Sequence, residues 1–409
     1  MGLVYRLAWR NLWRHRRRTW LTTGAMVFSN VLLVFMISVQ FGMYGIMIDN
    51  ALQTLTGQMQ IQAPGYKDDQ KIRQVVADIA PLAQSLRVEF PSAMIAARGS
   101  AFALVSSAER SYGIGLLGVE PLFEPKVSTI PGLVRQGRYL GRTDAEEIVI
   151  GAALARNLHA AVGDELTLLG NGRDGSFAAA VVEIVGIFDS GVPDLDRAIA
   201  EVPIAFFQDA FYMEGAGHQI VINAPTLDDV PIVKAEVEAS LPGESNLVVH
   251  DWDALQPGLR QAIKADMSSA FFMYGILVIL VAFSVLNTQL MSVLERTREF
   301  GIVMALGLKP ARLGRLVLLE TAIMGAIGLF VGAMLGWALT AYFGINGFSI
   351  PGMEEMSAKF NLPARFYPQP TVLTLFAGPA VVYLFTILAA LYPALRLHRL
   401  QPVEAMRAA

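Results

Sequence analysis

Cysteine is absent from the 409 residues, so the fold carries no disulfide and its N-terminus no lipidated thiol, a pattern that suits an oxidising compartment without proving one. Charge is scarce as well: Asp, Glu, Lys and Arg make up 16% of the chain against 54% hydrophobic residues, and the mean hydropathy of +0.46 lies outside the range of soluble domains. No G-x-x-x-x-G-K-[ST] occurs, so any ATP-driven function must take its motor from a partner. The five histidines, His15, His159, His218, His250 and His398, fall in separate elements without ligand spacing, so no metal site is assigned. A G-x-S-x-G nucleophile motif is missing too, and the G-x-G-x-x-G at Gly113 to Gly118 is followed by Pro121 where a dinucleotide-binding helix should start; glycine turns and strand packing are its simpler reading. The net charge of −3 gives no reason to invoke nucleic acid.

The scarce charge is segregated. Residues 19–48, 267–294, 321–353 and 366–395 contain no Asp, Glu, Lys or Arg, and each exceeds the roughly 20 residues a helix needs to cross about 30 Å of hydrocarbon. The sequence therefore predicts transmembrane helices over 19–48, 267–294, 316–345 and 369–395, with Glu320 the one ionisable group near their interior. A proton- or ion-coupled transporter would bury several such groups, which argues against that class. Arginine clusters before the first span (Arg6, Arg10, Arg14, Arg16, Arg17 and Arg18), between the second and third (Arg296, Arg298, Arg312 and Arg315, with Lys309) and after the fourth (Arg396, Arg399 and Arg407). Four spans put these three regions on one side, which the positive-inside rule makes cytoplasmic; both termini are then cytoplasmic and residues 49–266 external. The first apolar run is too long for a signal-peptide core and is expected to stay as an uncleaved anchor. Residues 1–18 place Arg6, Arg10, Arg14 and Arg17 on one helical face with Leu3, Leu7, Trp9 and Trp13 off it, as in an amphipathic helix lying in the interface.

Residues 49–266 have the composition of a soluble α+β domain. A strand at 57–63, a helix at 69–86 spaced by Ile72, Val75, Val76 and Ile79, and a strand at 93–107 are repeated in kind by 218–224, 227–241 and 245–251. This predicts one split subdomain, 49–112 with 213–255, interrupted by a β-rich insertion at 113–212. The remaining segments are a loop at 346–368 and a tail at 396–409.

Three features address function. Gly325, Gly328, Gly332 and Gly336 form a small-residue stripe on the third span, suited to close helix packing. Phe35, Val39, Met43 and Tyr44 with Phe271, Phe272 and Met273 are adaptable apolar side chains, candidates for a substrate or lipid cavity. The 295–315 segment has an apolar face, Phe300, Val303 and Met304, with Gly307 to end one helix and Pro310 to start the next, so it is a short amphipathic helix rather than a spacer.

Read onward as ERTREFGIVMALGLKPARLGRLVLLE, with YPALRLHRLQPVEAMR near the C-terminus, this segment resembles the MacB/FtsX-type permeases of ABC transporters, and the order of one span, a large external domain and three spans matches throughout. AWRNLWRHRRRTWL, EEIVIGAALARNLHAAVGDELTLL and VEIVGIFDSGVPDLDRAIAEVPIAFFQDA are most similar to the lipoprotein-releasing (Lol-type) members. The resemblance implies a transport subunit of the bacterial inner membrane that is not itself an enzyme. Its partners would be a cytoplasmic ABC ATPase dimer that binds ATP and Mg, a second permease chain, either a copy or a paralogue, membrane lipids, and a periplasmic lipoprotein carrier or adaptor. Glu295, Arg296, Arg298, Glu299, Phe300, Gly301, Ala305 and Gly307 match the family's coupling-helix motif, and Phe300, Val303 and Met304 are expected in a groove of the ATPase. The implied work is extraction or release of lipoproteins or another lipid from the outer leaflet; the alternatives are drug or peptide efflux, and signalling to cell-wall hydrolases. One departure is the short loop GNGRDGS, 170–176, where one Lol permease carries a long carrier-gripping hairpin.

Overall fold

Among the described residues, four helices are long and apolar enough to cross a membrane: Arg16–Ala51, Pro257–Glu295, Pro310–Asn346 and Val372–Arg396. They belong to a computed structural model that describes residues 2–14, 16–243, 246–349, 352 and 365–397; most of the 346–368 loop and the tail beyond Leu397 lie outside these. The first two long helices contain the apolar runs at 19–48 and 267–294 and the third contains the span expected at 316–345, whereas the fourth starts at Val372, three residues after the expected 369, with Thr371 as its cap. The ends follow hydrogen bonding rather than the edge of hydrophobicity, so the second starts at Pro257 and takes in Arg260, Lys264 and Asp266. The arginines of residues 1–18 are likewise divided: a separate helix covers Gly2–Arg14, and Arg16, Arg17 and Arg18 already belong to the first long helix. At this corner the Thr19 hydroxyl donates to the Leu12 carbonyl at 2.9 Å, satisfying one of the orphan acceptors of a helix C-terminus.

The chain divides into two units, one gathering Met1–Gly45, Ala262–Ile350 and Arg365–Ala409, the other built on Ile46–Gln261. In the first, the third long helix is the central element. Gly328, Gly332 and Gly336 face Met26, Asn30 and Val34 of the first long helix, four residues apart on both sides, and a Cβ on Gly332 would stand 2.5 Å from the Asn30 Cβ. Gly325 faces Tyr383 of the fourth helix instead. Backbones so close gain dispersion contacts that the hydrophobic effect cannot supply in lipid.

The second unit is a mixed α/β domain. Its strands are β1 (Met59–Gln62), β2 (Met94–Ser106), β3 (Ser111–Val119), β4 (Val134–Gly137), β5 (Glu147–Gly151), β6 (Glu165–Asn171), β7 (Phe177–Phe188), β8 (Ile199–Pro203), β9 (Gln219–Asn223) and β10 (Val248–Asp251). They form one sheet in the order β10-β1-β9-β2-β3-β8-β5-β7-β4, with β6 joined to β2 and β7. The β10-β1-β9-β2 section is antiparallel, and helices Ile79–Glu89 and Val230–Ser240 provide its two crossovers, a split βαβ arrangement over a core of Met59, Ile61, Ile79, Leu86, Ile220 and Val237. Strands β4 to β8 fall within the stretch expected as an insertion, 113–212, while β3 starts at Ser111, before that boundary, and pairs with β2; β6 and β7 are joined as a hairpin across the 172–176 turn.

The helix expected over 69–86 begins only at Ile79. Val76 exchanges both backbone hydrogen bonds with Gly217, at 2.8 and 3.0 Å, and Asp78 sits at φ 44°, so the chain is extended and then turned where the spacing suggested a helix. Ile72 and Val75 still pack on the core, which explains the spacing. The Gly113–Gly118 motif lies in β3, where Gly118 makes room for the Phe207 ring.

Candidate functional site

The charged segment between the second and third long helices is an elbow with a defined start and stop. Arg296, at φ −99° and ψ 8°, leaves the helix that ends at Glu295, and a new helix runs Thr297–Ala305. It closes when Leu308 N–H donates to Val303 O at 3.3 Å and Gly307 N–H to Met304 O at 3.0 Å, with Gly307 at φ +95°. This is the Schellman closure, which requires a left-handed residue at that place. Lys309 is extended and Pro310 opens the third long helix.

The two faces of this helix reverse the sequence expectation. Phe300 and Met304 are buried against Val293, Leu313, Val317 and Leu397, with Val303 packed beside them, so these three are the elbow's attachment to its own membrane unit and are not free to enter a partner's groove. Helical spacing correctly groups them on one face; it cannot say that neighbouring helices of the same chain cover that face. The exposed side carries Arg298, Glu299, Ile302, Ala305, Leu306 and Lys309, with Ile302 49% and Leu306 82% exposed.

Charges fix this attachment. Glu320 is buried and accepts from Asn11 Nδ2 at 2.7 Å and from Arg296 Nη1 at 3.3 Å, while the Arg296 guanidinium lies 4.9 Å from the centre of the Phe300 ring. One carboxylate thus joins the Gly2–Arg14 helix, the elbow and the third long helix. Removing one member of such a buried pair costs about 3–5 kcal/mol, because the other charge is left without compensation. Glu295 with Arg18, at 3.4 Å, and Glu299 with Arg14, at 3.8 Å, are more exposed and weaker contacts.

The residues expected to line a lipid cavity are dispersed. Phe35 packs edge-on to Phe343 at 5.7 Å and lies 5.9 Å from Phe348, while the Tyr44 hydroxyl donates to Asp266 Oδ2 at 2.6 Å within a network that includes Gln40 and Tyr274. Val39 is half-buried, whereas Met43, Phe271, Phe272 and Met273 are exposed on their helices. Three consecutive residues of a helix turn through about 200°, so 271 to 273 cannot all face one cavity of a single chain.

The α/β unit buries a second charge cluster that neither motif nor spacing singles out. Arg98 is paired with Glu124, both fully buried, and its guanidinium also donates to the Leu55 carbonyl. Glu201 lies in the same cluster, accepting from the Tyr139 hydroxyl at 2.7 Å; burial, then the charge of Glu124, pushes its carboxyl up to about 8. His218 accepts from Ser100 N–H through Nδ1 at 2.9 Å and so donates through Nε2 to Ile72 O at 3.1 Å; burial lowers its pKa to about 4, and it stays neutral as a structural group. The detectable signal for the cluster was a lone charge inside apolar strand sequence, AARGSAFA and IAEVPIAFF. Among the described residues no group of three or more His, Cys, Asp or Glu side chains is placed to hold a metal.

Comparison with known proteins agrees with this architecture. Residues 19–240 match the MacB-like periplasmic core domain and residues 271–402 the FtsX-like permease C-terminal region. The lipoprotein-releasing system transmembrane protein LolC of Xylella fastidiosa is 25% identical over 313 residues, 73% of this chain and 74% of that protein. LolE of Haemophilus influenzae, of the same system, is 26% identical over 319 residues, 74% of each chain. The crystal structure of the periplasmic region of MacB from Actinobacillus actinomycetemcomitans is similar with a TM-score of 0.38 at 16% identity, covering 52% of this chain and 95% of that one. A multi-pass chain with four apolar helices, a charged elbow and both matched regions is therefore a member of the MacB/FtsX-like family of ABC transporter permeases.

Proposed function

We propose that this chain is the membrane subunit of a machine of the bacterial inner membrane that uses ATP hydrolysis by a cytoplasmic ABC ATPase dimer to extract or release lipoproteins, or another lipid-anchored substrate, from the outer leaflet. The observation that carries the reading is the elbow: an apolar, charge-flanked face, Ile302, Ala305 and Leu306 beside Arg298, offered outward on a helix whose other face is locked into the membrane unit. An apolar anchor with charges setting register is how specific interfaces divide affinity from orientation. ATP and Mg belong to the ATPase. The arginine-rich ends and the elbow are cytoplasmic, and the α/β domain, carried between the first and second long helices, is periplasmic.

The lipoprotein client rests on the LolC and LolE likeness across about three quarters of the chain. Phe271, Phe272 and Met273, exposed on one chain, are the surface that a second permease chain and the acyl groups of a substrate would share. The deciding experiment is release from proteoliposomes holding this chain, its second permease and the ATPase. An acylated lipoprotein is expected to pass to a soluble acceptor on ATP addition, while its non-acylated form leaves the ATPase rate unchanged. ATPase stimulation by macrolides or peptides, with lipoproteins retained in the membrane, would sink the assignment and favour efflux.

A further inference from the structure

At the corner between the Gly2–Arg14 helix and the first long helix lies an apolar cavity of about 160 Å³, walled by Trp9, Trp13, Trp20 and Ile327 and bordered by Arg16 and Thr23. Thr19 also lines it, with its hydroxyl held by the Leu12 carbonyl, but the other two polar side chains are unlike their neighbours. Thr22 donates to the Arg18 carbonyl at 3.1 Å, the ordinary fate of a helical threonine, whereas the Thr23 hydroxyl, in a residue only 7% exposed, has no partner among the described residues. Burying a hydroxyl without a partner is costly, and a ligand atom that accepts from it at that point would remove the cost. Arg16 donates through Nε to the Trp13 carbonyl at 3.3 Å and makes no ion pair with any described residue, unlike Arg14 and Arg18.

We propose that this corner binds an anionic phospholipid of the leaflet that surrounds it. The phosphate sits on the Arg16 guanidinium, an ester oxygen accepts from Thr23, and the first chain carbons lie among the three indoles. The volume agrees: a cavity of about 150 Å³ holds a six-carbon apolar molecule such as benzene, so this one takes a chain segment and not a whole lipid. The charge agrees as well, because Arg10, Arg14, Arg16 and Arg17 are exposed around it, and a basic cluster at the end of a membrane helix attracts anionic lipid. Indoles are suited to the interface, apolar in body with one polar edge. Neither the transport substrate nor the side of the membrane enters this binding.

The test is tryptophan quenching by brominated phosphatidylglycerol or brominated phosphatidylcholine in detergent micelles. It uses the full chain with Trp252 and Trp337 replaced by Phe, so that only Trp9, Trp13 and Trp20 report. Phosphatidylglycerol should half-quench at about fivefold lower mole fraction than phosphatidylcholine, the effect of one added charge contact. Arg16→Gln should abolish the preference, while Arg10→Gln, which removes the same charge outside the cavity, should keep it. Thr23→Val, nearly isosteric and so expected to fold with an unchanged melting temperature, should weaken quenching. Equal quenching by the two lipids overturns the proposal, as does equal loss in Arg10→Gln and Arg16→Gln, or unchanged quenching in Thr23→Val. Displacement of the lipid by inorganic phosphate alone would also overturn it, reducing the site to one for simple anions.

Discussion

Substituting aspartate on the two faces of the elbow helix separates attachment from docking. Met304 is 7% exposed within a cluster of Val293, Phe300, Leu313, Val317 and Leu397, none of which offers a hydrogen-bonding side chain. A carboxylate there is an uncompensated buried charge, worth about 3–5 kcal/mol of stability, and at about 2–4 °C per kcal/mol the melting temperature should fall by on the order of 10 °C. Leu306 is 82% exposed, so Leu306→Asp should change the stability of the isolated chain by no more than about 0.5 kcal/mol. If Leu306 is a docking anchor, its loss costs about 2 kcal/mol of binding, a roughly thirtyfold weaker hold on the ATPase. The assay pairs thermal unfolding of the detergent-purified chain with titration of partner ATPase activity. Leu306→Asp should melt like the parent and fail to stimulate; Met304→Asp should melt early. A Met304→Asp chain as stable as the parent yet uncoupled, or a Leu306→Asp chain that stimulates fully, would refute the assignment of the two faces.

Gly332→Ala puts a methyl 2.5 Å from the Asn30 Cβ, an overpacking worth about 1–3 kcal/mol, and combining it with Asn30→Gly should destabilise less than the sum of the two single changes in thermal melts. Glu320→Ala strands the buried Arg296 cation and should cost about 3–5 kcal/mol, whereas the Arg296→Met, Glu320→Leu pair should recover most of that loss in the same melts. Glu201 holds its proton more tightly when folded than unfolded, so the folded chain binds more protons between about 4.5 and about 8; stability is full below this window and falls as pH rises through it. Denaturant midpoints followed by near-UV circular dichroism should show this slope in the parent and a flatter one in Glu201→Gln.

How much of this was readable in advance follows from what each signal measures. The four long helices were legible because a charge-free run of such length has few other fates, and the elbow was legible because Gly307 and Pro310 punctuate it. Which face of the elbow is covered was not legible: periodicity groups Phe300, Val303 and Met304, but their cover comes from Val293, Leu313 and Leu397, placed there by tertiary structure. Likewise Ile72, Val75 and Val76 have helical spacing, yet pairing of Val76 with Gly217, far along the chain, decides the backbone. The Arg98, Glu124 and Glu201 cluster joins residues from separate parts of the domain, and nothing local announces that they meet. Glu320 was visible as an isolated charge, but Arg296 stood out only as one arginine in a basic loop, and the bridge between them needed coordinates.

The elbow's stop signal gives the sharpest separation of local conformation from docking chemistry. Gly307 stands at φ +95° with open space around the position a Cβ would occupy, so a substitution there meets no clash and is penalised through the backbone alone. An L-residue in a left-handed conformation costs roughly 1–2 kcal/mol, and the chain can avoid that cost by opening the closure that holds Leu308 to Val303 and Gly307 to Met304. Opening it releases Leu306, the residue just before the glycine, while the Phe300 and Met304 anchor stays packed. Gly307→Ala should therefore keep the melting temperature within a few degrees of the parent and lose partner stimulation, since a loosened anchor must be ordered again on binding. Asparagine tolerates the left-handed region better, so Gly307→Asn should retain more stimulation than Gly307→Ala although its side chain is larger. Equal loss in the two variants would mean that Gly307 acts by its small size at a contact, not by its backbone angle, and the closure would no longer explain how Leu306 is held.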